Sequence, residues 1–171
     1  MKTWLRLTVV AMTVGGGFAG TLQAIFAASG QKPLNLLMMV VFLGLYGYVT
    51  ASGLLFVHDA RRTGPVVGAL GIQIPWISSS ILVYEFGAGV SAFVGVGSPE
   101  KEGNFGFHLY FDAFWGSRWQ FSLFQDDPWR VGANLIAVVI FTLVLRAHLN
   151  NQRLTITATA SQEQTSAIQV P

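Results

Sequence analysis

The chain of 171 residues contains no cysteine. That removes disulfides, thiolate nucleophiles, cysteine-ligated zinc and iron–sulfur clusters. Histidine is nearly as scarce, with His58, His108 and His148 the whole set. No two of them lie deep in separate apolar segments, which argues against a bis-histidine haem. Charge is also thin: Asp, Glu, Lys and Arg make up 11% of the residues, against about 25% in an ordinary soluble domain. A formal charge of +2, with the basic residues scattered at segment edges, argues against nucleic acid as a partner. There is no phosphate-binding Gly-rich loop ending in Lys-Ser/Thr, no His-Glu-x-x-His and no Gly-x-Ser-x-Gly. Gly15-Gly16-Gly17 lies inside an apolar run, out of a nucleotide's reach. No catalytic residue, metal site or cofactor is assigned.

Apolar residues are what the chain has, at 52% of the total and a mean hydropathy of +0.52. They come in blocks. About 20 apolar residues in helix cross a bilayer core of about 30 Å. Segments 7–28 and 34–57 carry no charge, and neither does 65–84, whose weakly apolar character extends to 97. Segment 129–147 begins with Trp129 and Arg130 as an interfacial anchor. The expectation is an all-α membrane protein, a four-transmembrane-helix bundle occupying 1–149, with a disordered polar tail over 150–171. Ala27-Ala28-Ser29 also resembles a signal-cleavage site, but the preceding run exceeds the usual h-region of about 7–15 residues. A retained helix is therefore favoured.

Flanking basic residues set the orientation. With the N-terminus inside, Lys2, Arg6, Arg61, Arg62, Arg146 and Arg153 lie inside, and Lys32, Lys101, Arg118 and Arg130 outside. Both ends are then cytoplasmic, and a bacterial inner membrane fits the pattern. Arg61 and Arg62, beside His58 and Asp59, read as an orientation and headgroup-contact loop. Gly30 to Pro33 reads as a turn, Thr63-Gly64-Pro65 as a helix start, and Pro75 as a kink inside the third span. His148 suits a helix C-terminus. Small residues four apart suggest close helix packing at Gly16 and Gly20, at Gly47 and Ala51, at Gly64 and Gly68, at Gly87, Ser91 and Gly95, and at Ala133 and Ala137. Either bundle packing or a homo-oligomer contact would use them. Gln23, Gln73, Asn134, Ser78, Ser79 and Ser80 need hydrogen-bond partners if they lie away from water.

The outer loop, 85–128, is rich in aromatics. Phe105, Phe107, Leu109 and Phe111 alternate with smaller or polar residues, as do Trp119, Phe121 and Leu123. This period of two suggests an extracytoplasmic β-hairpin turning at Trp115-Gly116-Ser117. With paired residue numbers summing to 230, Asp112 opposes Arg118. The rival reading is an interfacial helix through Phe107, Phe111, Phe114 and Trp115.

Glu85 is the most interesting acid. It lies at the rim if the third helix begins at Gly64, or in mid-membrane if the span is 74–96. His108 and Asp112, with Glu100 and Glu102 nearby, are too loose a set for a metal. The functional expectation is a non-enzymatic multi-pass protein associating with lipids or membrane partners. One alternative is a small transporter or channel subunit with a polar track through Glu85, Gln73 and the serines. Another is an enzyme acting on a lipid or quinone, which requires at least two of Glu85, His108 and Asp112 to converge.

Overall fold

The computed structural model describes residues 2–27, 33–99, 106–124 and 128–168. The Gly30 to Pro33 turn, apart from Pro33, and Lys32, Glu100, Lys101, Glu102 and Phe105 lie outside the described residues. Helix α1 (Thr3–Val10), a π-helical turn (Ala11–Gly16) and α2 (Gly17–Ala27) run on as one rod. Gly15 and Gly16, with weak helical preference, end the π-helical turn, where Thr13 Oγ1 also bonds the Val9 carbonyl at 2.7 Å. Helix α3 (Pro33–His58) packs antiparallel along the rod. Helix α4 (Gly64–Gly71) starts with proline near its N-terminus, as the Thr63-Gly64-Pro65 motif suggests. Six strands then follow: β1 (Pro75–Ser78), β2 (Leu82–Gly87), β3 (Val90–Gly97), β4 (His108–Trp115), β5 (Arg118–Leu123) and β6 (Arg130–Asn134). The last described element is α5 (Leu135–Ile168).

The all-α four-helix expectation is overturned. Among the described residues two helices are long and apolar enough to cross a membrane, Thr3–Phe26 and Leu37–His58. The expected third span, 65–84, divides into most of α4, all of β1 and the start of β2. The fourth, 129–147, begins as β6, leaving Leu135–Asn150 as a shorter apolar helix. Pro75 ends the helical path instead of kinking it, and opens a strand, a position where its missing N–H costs little. The β-branched and aromatic residues beyond it, among them Trp76, Ile77, Val83, Tyr84 and Phe86, favour extended backbone.

The sheet is antiparallel with order β4-β3-β6-β1-β2-β5. The expected β4–β5 hairpin does not form, for the two strands occupy opposite edges, and an interfacial helix is excluded. Instead β4 pairs with β3 and β5 with β2, and in both ladders the paired numbers sum to 205, as in Leu82 with Leu123 and Gly97 with His108. One long ribbon, 82–97 against 108–123, is therefore folded over at Ala88-Gly89 and Gly116-Ser117. Both bends need glycine: φ is +87° at Gly89 and +119° at Gly116, and the Gly116 N–H donates to the Gly89 carbonyl at 2.6 Å. Strands β1 and β6 pair with each other and bridge the two arms of the ribbon. The sheet thus curls into a trough.

The ribbon's bend docks on the middle of the rod. A side chain at Gly16 would collide with the backbone of Ala88 and Gly89, and Ser117 Oγ donates to the Gly16 carbonyl. Gly20 accommodates the Tyr46 ring, whose hydroxyl donates to the Gly87 carbonyl at 3.3 Å. Gly16 and Gly20 thus serve packing within the chain. Gly87, Ser91 and Gly95, expected to line a helix face, lie on strands and face the trough. Beyond the bend the sheet runs beside the first half of α3, where Phe42 stacks on Trp119 and Phe86. On the other side of the bend, Leu5, Val9, Phe56, Val66, Leu70, Ile140 and Val144 form an apolar core among α1, α3, α4 and α5.

Candidate functional site

Alternation along each strand sends one set of side chains into the trough and the other outward. The inner set is Trp76, Ser78, Val83, Glu85, Ser91, Phe93, His108, Tyr110, Asp112, Phe114, Arg118, Gln120, Ser122, Arg130 and Asn134, as the registers show. The outer set is almost wholly apolar. Beyond the part covered by α3 it is bare: Phe107 is 81%, Leu109 82%, Phe111 72% and Trp115 87% exposed. The sheet is therefore inverted relative to a water-soluble one, with charges inside and large apolar residues outside.

Within the trough lies a cavity of about 290 Å³. Four charged residues line it: Glu85, Asp112, Arg118 and Arg130. Arg118 is the hub. Its Nη1 bonds Asp112 Oδ2 on the opposite edge strand, and its Nε lies 3.0 Å from Glu85 Oε1. The latter contact is electrostatic only, because Oε1 is buried and accepts no aligned hydrogen bond from the described residues. The guanidinium also sits 5.2 Å above the Phe114 ring, and that of Arg130 sits 4.6 Å above Tyr110. Tyr110 in turn donates to the Ser98 carbonyl. Trp76 packs against Phe93 and Tyr110 across the floor. Burial pushes the Glu85 carboxyl above the ordinary carboxylate range; Arg118 pulls the other way and Asp112 reinforces the rise.

Glu85 is thus 4% exposed and turned into the sheet, at neither a helix rim nor a mid-helix position. Asp112 joins it through Arg118, and the expected Asp112–Arg118 pairing exists as an ion pair across the slot between β4 and β5. His108 is exposed at the far end of β4 and does not join them. Gln73 is remote from the cavity: its amide donates to the Ala69 carbonyl at 2.9 Å and accepts from the Ala88 N–H at 3.0 Å, tying α4 to the ribbon's bend. Ser79 closes the β1–β2 turn by bonding Leu82, while Ser80 is exposed. A track through Glu85, Gln73 and all three serines is therefore not assembled. Asn134 caps α5, accepting from Ala137 and Ala92 and donating to Ser91. Gln23 is exposed on α2.

Sequence reasoning missed Arg118, Arg130, Tyr110 and Trp76 as cavity residues. For Tyr110 and Arg118 the signal was there in the alternation of the two aromatic runs, which puts them on the face opposite Leu109, Phe111 and Trp119. Among the described residues no three of His, Asp and Glu lie together as metal ligands. An apolar recess of about 680 Å³ lies between the rod and the bend by Met12, Gly15, Val90, Trp115 and Ile136, and none of its lining residues is titratable. At the opposite end of the molecule Lys2, Arg6, Arg61 and Arg146 line a basic recess with Trp4. There Arg6 donates to the Val57 carbonyl at 3.1 Å, and Thr63 shares a 2.8 Å hydrogen bond with His148. Arg62 lies 3.6 Å from Asp59 on the surface.

No protein-family model matches the chain, and no curated protein or solved structure shows detectable similarity to it.

Proposed function

We propose that the chain is an integral membrane protein with two spanning helices, and that it acts without catalysis, by binding lipid through a sheet lying in one half of the bilayer. The observation that carries this reading is the inversion of the sheet. A strand surface bearing Leu109, Phe111 and Trp115 outward and Glu85, Asp112, Arg118 and Arg130 inward is stable where the outside is hydrocarbon. In water the same arrangement exposes a broad apolar patch and buries the Glu85 carboxyl.

Depth supports it. The rod from Thr3 to Phe26 spans about 36 Å at 1.5 Å per residue, enough for the bilayer core. The ribbon bends against Gly16, near the rod's middle, and its arms rise alongside the far half. Trp115 then lies near mid-depth and Phe107 near the interface. The basic recess at the other end places Lys2, Arg6, Arg61 and Arg146 on one side of the membrane, consistent with a cytoplasmic N-terminus.

Reconstitution in vesicles whose acyl chains are brominated at graded depths tests this. Single-tryptophan variants retaining Trp115 are expected to be quenched most strongly by deep bromines. If Trp115 is quenched instead by aqueous iodide, the proposed placement is wrong.

A further inference from the structure

At the end of the molecule opposite the trough, cations from three separate segments line one recess. Lys2 stands at the N-cap of α1 and Arg6 one helical turn on. Arg61 comes from the loop between α3 and α4, and Arg146 from α5. All four are exposed. No residue lining the recess is acidic, so one lysine and three arginines give it a formal charge of +4. The acid of the loop, Asp59, is engaged within the loop itself. Its Oδ1 accepts from the Arg61 backbone N–H at 2.9 Å, and its Oδ2 lies 3.6 Å from Arg62 Nε. Like charges gathered in this way repel one another, and a bound anion turns that repulsion into attraction.

The walls of the recess are tied to one another. Arg6 Nη2 donates to the Val57 carbonyl at 3.1 Å, joining the start of the rod to the end of α3. The 2.8 Å hydrogen bond between Thr63 and His148 joins the loop to α5. The enclosed volume is about 590 Å³, within the range of about 300–1,000 Å³ usual for small-ligand sites. The floor is apolar: Leu5 belongs to the helical core and Leu143 packs against it. Trp4, half exposed, stands beside them with the amphipathic ring that favours a membrane interface. A cationic rim over an apolar floor suits a molecule that is anionic at one end and apolar at the other. One phosphodiester neutralises one of the four charges; two neutralise two, and each can take the fork of an arginine on its paired oxygens. Depth agrees. Arg6 precedes Gly16 by ten residues, about 15 Å along the rod, and half the hydrocarbon core is also about 15 Å. With the bend at mid-depth, Arg6 stands at the level of the lipid phosphates.

We infer that this recess is a binding site for a pair of phosphate groups, held by Lys2, Arg6, Arg61 and Arg146 and presented by an acidic phospholipid with two phosphates, of the cardiolipin type, in the leaflet at the N-terminal end. The inference rests on the membrane placement proposed above in naming a lipid as the source. The phosphate chemistry is independent of that placement, and the site is separate from the sheet.

The test uses the full chain in nanodiscs of equal phosphatidylcholine, phosphatidylglycerol and cardiolipin. Detergent extraction follows, and co-purifying lipid is counted by native mass spectrometry. Cardiolipin is expected to be retained over phosphatidylglycerol, and phosphatidylglycerol over phosphatidylcholine. Arg61→Gln and Arg146→Gln are each expected to lower cardiolipin retention by about tenfold, the worth of one charge-assisted hydrogen bond. Arg62→Gln removes the same charge from the next position in the loop, outside the recess, and is expected to leave retention unchanged. A parallel arm titrates inorganic diphosphate into the chain in phosphatidylcholine nanodiscs. Binding there that Arg61→Gln abolishes, without cardiolipin retention, assigns a soluble two-phosphate anion as the source. Equal retention of all three lipids with no binding of diphosphate overturns the site. So does a loss in Arg62→Gln equal to that in Arg61→Gln, the mark of general surface attraction, and cardiolipin held no better than phosphatidylglycerol overturns the pairing of phosphates. Trp115 quenching reads insertion separately, so an inserted protein that fails both arms refutes this site alone.

Discussion

The two ends of the molecule solve opposite problems with similar residues. At the helical end, Leu5, Val9, Phe56, Val66, Leu70, Ile140 and Val144 pack inward, and the charged groups gather at the extremity. At the sheet end, Trp115, Phe111 and Leu109 point outward, while Glu85 is buried in the trough and Asp112, Arg118 and Arg130 face into it. The helical end would be coherent in water or lipid, since a helix satisfies its own backbone and leaves only side-chain polarity to be placed. The sheet end is coherent only where its outer surface meets an apolar medium. Its charges compensate one another through Arg118, and its open edges face each other across the slot.

This contrast can be broken most severely at the joint between the two ends. Gly16→Leu drives a side chain into the backbone of Ala88 and Gly89, which has no rotamer with which to yield. The expected cost is about 3 kcal/mol or more, seen as loss of a monodisperse peak in detergent. Gly15→Leu, one residue away with open space beside it, should behave as wild type. A gradient sharpens the contrast next. Trp115→Arg should destabilise the protein in bilayers by about 2–4 kcal/mol and Phe107→Arg by about 1 or less, because charge on a lipid-facing strand costs most at mid-depth. Denaturant unfolding in vesicles measures both, and equal effects would contradict the placement. Asn134→Ala should cost about 1–2 kcal/mol in thermal melts, since it removes the α5 cap and the links to Ala92 and Ser91.

The smallest effect is a pH dependence. Glu85 binds its proton more tightly folded than unfolded, because burial raises its pKa. Its contribution to stability is therefore complete below the ordinary carboxylate value and declines as pH rises through the folded value. Melting temperature should fall across that window in wild type and stay flatter in Glu85→Gln. A wild-type melting temperature that rises there, with the variant unchanged, would contradict the burial argument.

Much of the helical end was legible. Uncharged runs at 7–28 and 34–57 contain the two long helices, and Thr63-Gly64-Pro65 marks α4. The sheet was half legible. The alternation from Phe107 to Leu123 correctly predicted strands and separated apolar from polar faces. What hydropathy hid was everything between Pro75 and Gly97. Strands with Trp76, Ile77, Val83, Phe86 and Phe93 score like a membrane helix, because composition is blind to period when the inner positions hold Trp76, Val83 and Phe93 beside Gly and Ser. The pairing was hidden for a related reason. A tight turn at Gly116 suggests local pairing of its flanking strands, but here both flanks pair with a distant partner and the turn is the crease of a fold. Glu85 could be flagged as unusual from its neighbours, but its companions Arg118 and Arg130 came from segments read as loop and anchor.

The crease in the ribbon has a consequence for how the molecule is made. Residues 82–97 and 108–123 can zip together early, since the chain between them is short and closure is entropically cheap. The trough, however, is sealed only when β6 is laid between β1 and β3, and Arg130–Asn134 is almost the last stretch before α5. Assembly therefore has an obligatory late step. Until β6 arrives, Glu85 and Arg118 sit on an open ribbon beside two finished helices, and the ionised interior comes into being only as the final helix is threaded.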